Sequence, residues 1–365
     1  MRSAASNVGM VFLVSSAVTA LGACGSSTAT GTTGTGGAAG TAASTGGSGV
    51  AAGSSGQTAG TTGQTGGAGG QTAGTTGHTG GAGGQTAGTG GGTGTACTVG
   101  VFSAADPSKA GPFATTTENN VGPTAGVGPD GGAPVAFTLF RPTDLAQGGL
   151  CHPVVTWGNG TGAMPSIYRS LLNQLASHGF VVIASNSPNV AQGTPAPMLA
   201  GVTWVLEQNA DPTSVMYQRI DTTHVGATGH SQGGFATTTA GADARITAIA
   251  PIAGAIATRN LHGPALLLCG GMDTTVPCST IQNAFNGITN QPVMLADQLA
   301  VDHGNWLSFG GSTTAPLNPY LVAVTAWMRV HLMGDTTLRS MFYGPTCTLC
   351  QDTAVWQVMQ SMMAQ

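Results

Sequence analysis

A chain of 365 residues could hold two domains, but with 60 glycines and only 6% charged residues it is uneven. Its first quarter has almost no large apolar side chain and cannot build a core, which leaves one domain of roughly 270 residues from about Cys97 onward. The formal charge of −4, a single lysine (Lys109) and the lack of any basic stripe exclude nucleic acid as a partner, and the neutral surface suits uncharged substrates better than anionic ones.

Residues 1–23 read as a signal peptide: one early charge at Arg2, an apolar stretch from Val8 to Leu21, then Leu21-Gly22-Ala23-Cys24. The run is too short and too rich in Ser, Ala and Gly for a span of ~20 residues. Its last four residues resemble a bacterial lipobox, which makes Cys24 the lipidated first residue of the mature chain and its membrane the anchor. The expected location is the bacterial cell envelope, with outer-membrane sorting favoured because no Asp follows Cys24. Residues 24–96 repeat Gly-Gln-Thr-Ala-Gly at Gln57, Gln71 and Gln85. No side chain in the repeat is a large apolar one, so stacking would bury nothing, and the segment is expected to be a disordered tether reaching roughly 40–50 Å.

In the remaining domain, 97–365, strand runs at Val135–Phe140, Val154–Trp157, Val181–Ser185, Val225–Thr228, Ile246–Pro251, Ala265–Cys269 and Val293–Leu299 alternate with helical periods. The helices are expected over Ser166–His178, Pro197–Gln208, Gln232–Ala240, Ser279–Phe285 and Pro319–Leu332, with a last one from about Thr353. Alternation of this kind gives an α/β class: a mostly parallel central sheet with helices on both faces.

Gly158-Asn159-Gly160-Thr161-Gly162 follows the second of these strands, and Gly160 is the expected backbone donor to a reacting oxygen. Gly229-His230-Ser231-Gln232-Gly233 fits G-x-S-x-G between a strand and a helix, where small neighbours let a tight turn present a nucleophilic Ser231. The Gln232 amide, at the helix start, is the other expected oxyanion donor. A serine needs a base and a base needs an orienting acid. Asp273, in the turn after Ala265–Cys269, is the expected acid and His303, in the loop after Val293–Leu299, the expected base; Asp302 and Asp297 are the rival acids. His152, His178, His224, His262 and His331 lack partner motifs and read as structural, and His78 as a solvated variant of the repeat. No metal-ligand cluster or phosphate loop is visible, so neither metal nor cofactor is expected.

Six cysteines follow the export signal and allow fifteen pairings into three disulfides. Cys269–Cys278 would clamp the Asp273 turn, and Cys347–Cys350 with Cys97–Cys151 would complete the set. The C-x-x-C spacing of Cys347 and Cys350 also occurs in redox and zinc sites.

From about Val135 to Pro345 the chain resembles bacterial α/β-hydrolases of the cutinase and PET-hydrolase group. The resemblance rests on Leu175-Ala176-Ser177-His178-Gly179-Phe180-Val181-Val182-Ile183, the Gly229–Gly234 elbow, the Asp273 turn and Gly334-Asp335-Thr336. It implies the α/β-hydrolase fold, the triad Ser231, Asp273 and His303, and an oxyanion hole from Gly160 and Gln232. Polyester-degrading members carry an aromatic ring where this chain has Gly160 and a tryptophan where it has Gly254-Ala255. A serine carboxylic-ester hydrolase acting as a monomer on neutral small or aliphatic (poly)esters is therefore expected. The alternatives are an amidase or peptidase with the same triad, and a non-catalytic binding or adhesion lipoprotein.

Overall fold

A computed structural model describes residues 97–102, 105–122, 135–187, 194–304 and 318–363. All belong to one compact unit, Thr86–Gln365; Cys24 and the expected signal peptide and tether lie outside the described residues.

Nine strands form one sheet: β1 (Thr115–Val121), β2 (Phe137–Pro142), β3 (His152–Gly158), β4 (Val181–Ser185), β5 (Ile220–His230), β6 (Ile246–Ile252), β7 (Ala265–Gly270), β8 (Val293–Gln298) and β9 (Trp356–Ser361). Their spatial order is β1-β2-β4-β3-β5-β6-β7-β8-β9. From β4 to β8 every pairing is parallel, and β1, β2 and β9 run antiparallel at the edges. This is the expected α/β architecture with a mostly parallel sheet.

The strands that pair in parallel read as continuous apolar runs because both faces are covered. Alternate side chains sort to opposite sides. Val155, Trp157, Val182, Ala184, Leu266 and Leu268 pack with helices α1 (Arg169–Ser177) and α5 (Pro319–Leu332). Val154, Val181, Ile183, Leu267 and Leu295 pack with α2 (Ala196–Ala210), α3 (Gln232–Ala240) and α4 (Cys278–Gly287). On the α1 and α5 side a buried ion pair, Arg329 Nη2 to Asp335 Oδ2 at 2.5 Å, closes the end of α5. Asp335 also caps the turn that follows by accepting from Thr337 N at 3.1 Å.

One expectation is corrected. No helix begins near Thr353: after the short α6 (Thr348–Gln351) the chain forms edge strand β9, paired with β8 from Val293↔Ser361 to Gln298↔Trp356. The sequence Trp356-Gln-Val-Met-Gln-Ser361 alternates apolar with polar residues, the period-two pattern of a strand with one covered face. The polar edge strand β1 was not anticipated, since Thr-Thr-Thr-Glu-Asn-Asn-Val has no apolar run to announce it. Three disulfides join Cys97–Cys151, Cys269–Cys278 and Cys347–Cys350.

Candidate active site

Four loops meet at the C-terminal ends of β3, β5, β7 and β8, the edge at which open α/β sheets place their ligands. Ser231 sits between the last residue of β5 and the first of α3 with φ 56° and ψ −120°, a backbone state that costs a non-glycine residue ~1–3 kcal/mol. The turn is held by Ser231 N–H donating to Ile252 O at 2.9 Å and by Gly234 and Phe235 N–H donating to Ser231 O. It also requires close backbone contact: a Cβ on Gly233 would stand 2.0 Å from Gly158 O, and one on Gly254 would stand 2.1 Å from Ser231 O. No side chain fits at position 254 with Ser231 in this place.

His303 and Asp273 complete the constellation. His303 Nε2 lies 2.9 Å from Ser231 Oγ, and His303 Nδ1 lies 2.7 Å from Asp273 Oδ2. Asp273 Oδ1 accepts from the amides of Thr275 (2.9 Å) and Val276 (2.8 Å), so the turn after β7 fixes both carboxylate oxygens and buries the side chain. With Nδ1–H donated to Asp273, the imidazole presents an unprotonated Nε2 to the serine hydroxyl. The rival acids are elsewhere. Asp297, on β8, sits with the Cys269 and Cys278 sulfurs, where burial raises its pKa, and Asp302 is exposed. Those two sulfurs are bonded to each other and offer no thiolate to a metal.

The Gly160 amide is not open as expected. It donates to Tyr168 Oη at 3.0 Å, and the same hydroxyl lies 3.1 Å from His230 Nδ1. A Cβ on Gly160 would come within 2.9 Å of Tyr168 Oη and 3.4 Å of Ser231 Cβ, so the loop passes beside the nucleophile but turns this N–H into the protein. The next amide, Thr161 N–H, makes no hydrogen bond among the described residues. On the other side, Gln232 N–H is an uncommitted donor at the N-terminus of α3.

Sequence reasoning missed Tyr168 and His230, both almost fully buried. Burial pushes the Tyr168 phenol up to about 12, and burial reinforced by the nearby His303 pushes His230 down to about 3, so both stay neutral at ordinary pH. The Tyr168 Oη–His230 Nδ1 hydrogen bond therefore joins two neutral groups, and the His230 ring lies beside the His303 ring at a centroid distance of 4.8 Å. The signal available was the place of His230 inside the elbow, one residue before the nucleophile.

Four of the other histidines have structural partners. His152 is sandwiched between Gly179 O (2.6 Å) and Leu145 O (3.2 Å) and stacks on Phe102. His178 meets Gln174 and Lys109 O, His224 pairs with Asp221, and His331 meets Tyr343 Oη.

Among known proteins, a family model described as PETase, PET hydrolase-like, matches residues 85–359. No curated protein matches the chain.

Proposed function

We propose, for a chain that belongs to the PET hydrolase-like family and so hydrolyses ester bonds, that it is a serine esterase working through an acyl-enzyme on Ser231. The observation that carries the reading is the continuous relay from Ser231 Oγ through His303 (2.9 Å) to Asp273 (2.7 Å). Ser231 Oγ attacks the ester carbonyl carbon while His303 Nε2 takes its proton, and Asp273 holds the imidazolium that results. The oxygen that gains charge is met by Gln232 N–H at the positive end of α3 and, in place of the occupied Gly160 amide, by Thr161 N–H. Collapse expels the alcohol, protonated by His303. Water then repeats the sequence on the acyl-enzyme and releases the acid.

Gly160 and the Gly254-Ala255 pair offer no ring to stack on, which supports aliphatic over aromatic ester chains. Cys24 with its lipid, and the Gly-rich stretch after it, would hold the enzyme at the cell envelope and let it sweep nearby material. Lipid labelling that persisted in Cys24→Ala would refute that anchor.

The test of the chemistry is hydrolysis of 4-nitrophenyl esters from acetate to octanoate by the full chain and three variants. Ser231→Ala and His303→Ala should lose ~10⁴-fold or more in kcat, and Asp273→Asn about as much because it leaves the wrong tautomer facing the serine. Near-normal turnover in a folded Ser231→Ala would overturn the reading.

A further inference from the structure

A cavity of about 360 Å³ lies over the β1–β2–β4 end of the sheet, against the start of α1. Arg169, Asn119, Asn120, Asn186 and Ser166 line it together with Phe140, and no carboxylate among the described residues does. Arg169 makes no ion pair or hydrogen bond among the described residues. Two of the amide oxygens are already used inside the wall: Thr138 Oγ1 donates to Asn186 Oδ1 at 2.7 Å, and Asn186 Nδ2 donates to Asn120 Oδ1 at 3.1 Å. Asn120 is brought there by a bulge between Asn119 and Val121 and holds φ 59°, a left-handed state that re-aims its side chain out of the strand's alternation. With the Asn186 and Asn120 amide oxygens engaged, the Asn120 Nδ2 donor and the permanent cation of Arg169 remain in the lining, a pair suited to a carboxylate.

Its place relative to Ser231 gives the ligand a length and a direction. Met164, Pro165 and Ser166 line the cavity and directly follow the Gly158–Gly162 loop. Asn159 Nδ2 ties that loop to the end of β4 by donating to Ser185 O (2.7 Å) and Ser187 O (3.1 Å), on either side of Asn186. β4 is two strands from β5 and β1 is four, so at ~4.8 Å per strand the cavity spans roughly 10–19 Å from the nucleophile. His303 follows β8, on the opposite side of β5. Since the leaving alcohol must take its proton from His303, it departs on that side, and the acyl chain points toward the cavity.

We propose that this cavity is a subsite for a carboxylate at the far end of the acyl chain, so that the preferred substrates are monoesters of long α,ω-dicarboxylic acids and the acid-ended fragments of aliphatic polyesters. The proposal rests on the ester-hydrolase reading and adds to it the residues that select the acyl half. At ~1.2 Å per bond, an extended chain of roughly eight to ten methylenes reaches about 11–14 Å and so enters the near side of the cavity, whereas a succinate half-ester, at roughly 4 Å, cannot.

The test compares three 4-nitrophenyl substrates on the full chain and on Arg169→Gln: the dodecanedioate half-ester, its methyl-capped neutral counterpart, and the succinate half-ester. Arg169 is exposed and unpaired at the start of α1, so the substitution leaves no buried group stranded. The expected result is a roughly tenfold fall in the ratio of kcat/KM for the acid-ended over the neutral long substrate, carried by KM, with no such fall for succinate. In the wild type that ratio should also decline with added salt. An unchanged ratio in Arg169→Gln, with neutral ester still hydrolysed, would overturn the subsite and leave the esterase reading standing. A wild type inert toward all three would sink the esterase reading, and the subsite with it.

Discussion

His230 makes the fold's response to acid a quantitative matter. Its ring is 3% exposed, and burial, with His303 nearby, holds it neutral down to about pH 3, whereas in the unfolded chain it takes a proton near pH 6.5. Between those values the unfolded state binds one more proton than the folded state, so stability is full above pH 6.5 and is lost as pH falls. Each pH unit below 6.5 costs about 1.4 kcal/mol, hence about 2 kcal/mol at pH 5 and nearly 3 at pH 4.5. Against a total of roughly 5–15 kcal/mol for a domain this is a large share from one side chain. His152 and His178 are also lowered by burial and act in the same direction; His331, pushed down to about 4 but only half-buried, adds less. The assay is urea unfolding at pH 7, 6, 5 and 4.5 for the wild type and His230→Asn, whose amide can pair with the Tyr168 hydroxyl in either direction. The wild type should lose stability across the series, and the variant should lose about one proton's worth less. Parallel pH dependences in the two proteins would refute the assignment of this proton to His230.

Tyr168→Phe strands the Gly160 N–H and His230 Nδ1 in the interior; it should lower stability by ~1–3 kcal/mol per unpaired group and lower kcat more than it raises KM, because the displaced loop supplies the oxyanion donor rather than the substrate pocket. A thermal melt and a Michaelis series check both, and a KM-only effect would contradict the positioning role. Gly233→Ala places a methyl 2.0 Å from Gly158 O, where only backbone movement relieves it, so soluble yield and Tm should both fall sharply, whereas a variant with wild-type Tm and activity would show that the elbow has slack.

The parts of this molecule legible in its sequence are those written in local pattern. Val154 to Trp157, Val181 to Ser185 and Ala265 to Cys269 announce central strands because burial on both faces leaves them apolar except for Thr156 and Ser185, and the structure has all three. Ser231, Asp273 and His303 were findable because each stands in a turn just past a strand, where glycine spacing and chain order constrain the chemistry, and the structure brings them within 2.9 Å of one another in sequence of contact. The edges were harder. β1 is polar and is recruited by pairing Thr115 to Val121 against β2, and β9 follows a single turn of helix that hides its period-two pattern.

The loop donor failed for a different reason. Glycine density at 158–162 says that backbone approaches something closely, but not which amide turns outward. That depends on Tyr168, eight residues on, and on His230, seventy on, whose mutual hydrogen bond claims the Gly160 N–H. A lone tyrosine in Ser-Ile-Tyr-Arg carries no motif, and a histidine inside an elbow reads as a spacer, so the pair exists only once β3 and β5 lie side by side. The same pairing explains why the chain tolerates bare glycine at 160: the space a side chain would take is already filled by Tyr168 Oη and the His230 ring. The Gly158–Gly162 loop is thus fixed from beneath by a neutral polar pair. Substrate preference is then left to what lies beyond the loop, at Arg169 and the asparagines of the β1 edge.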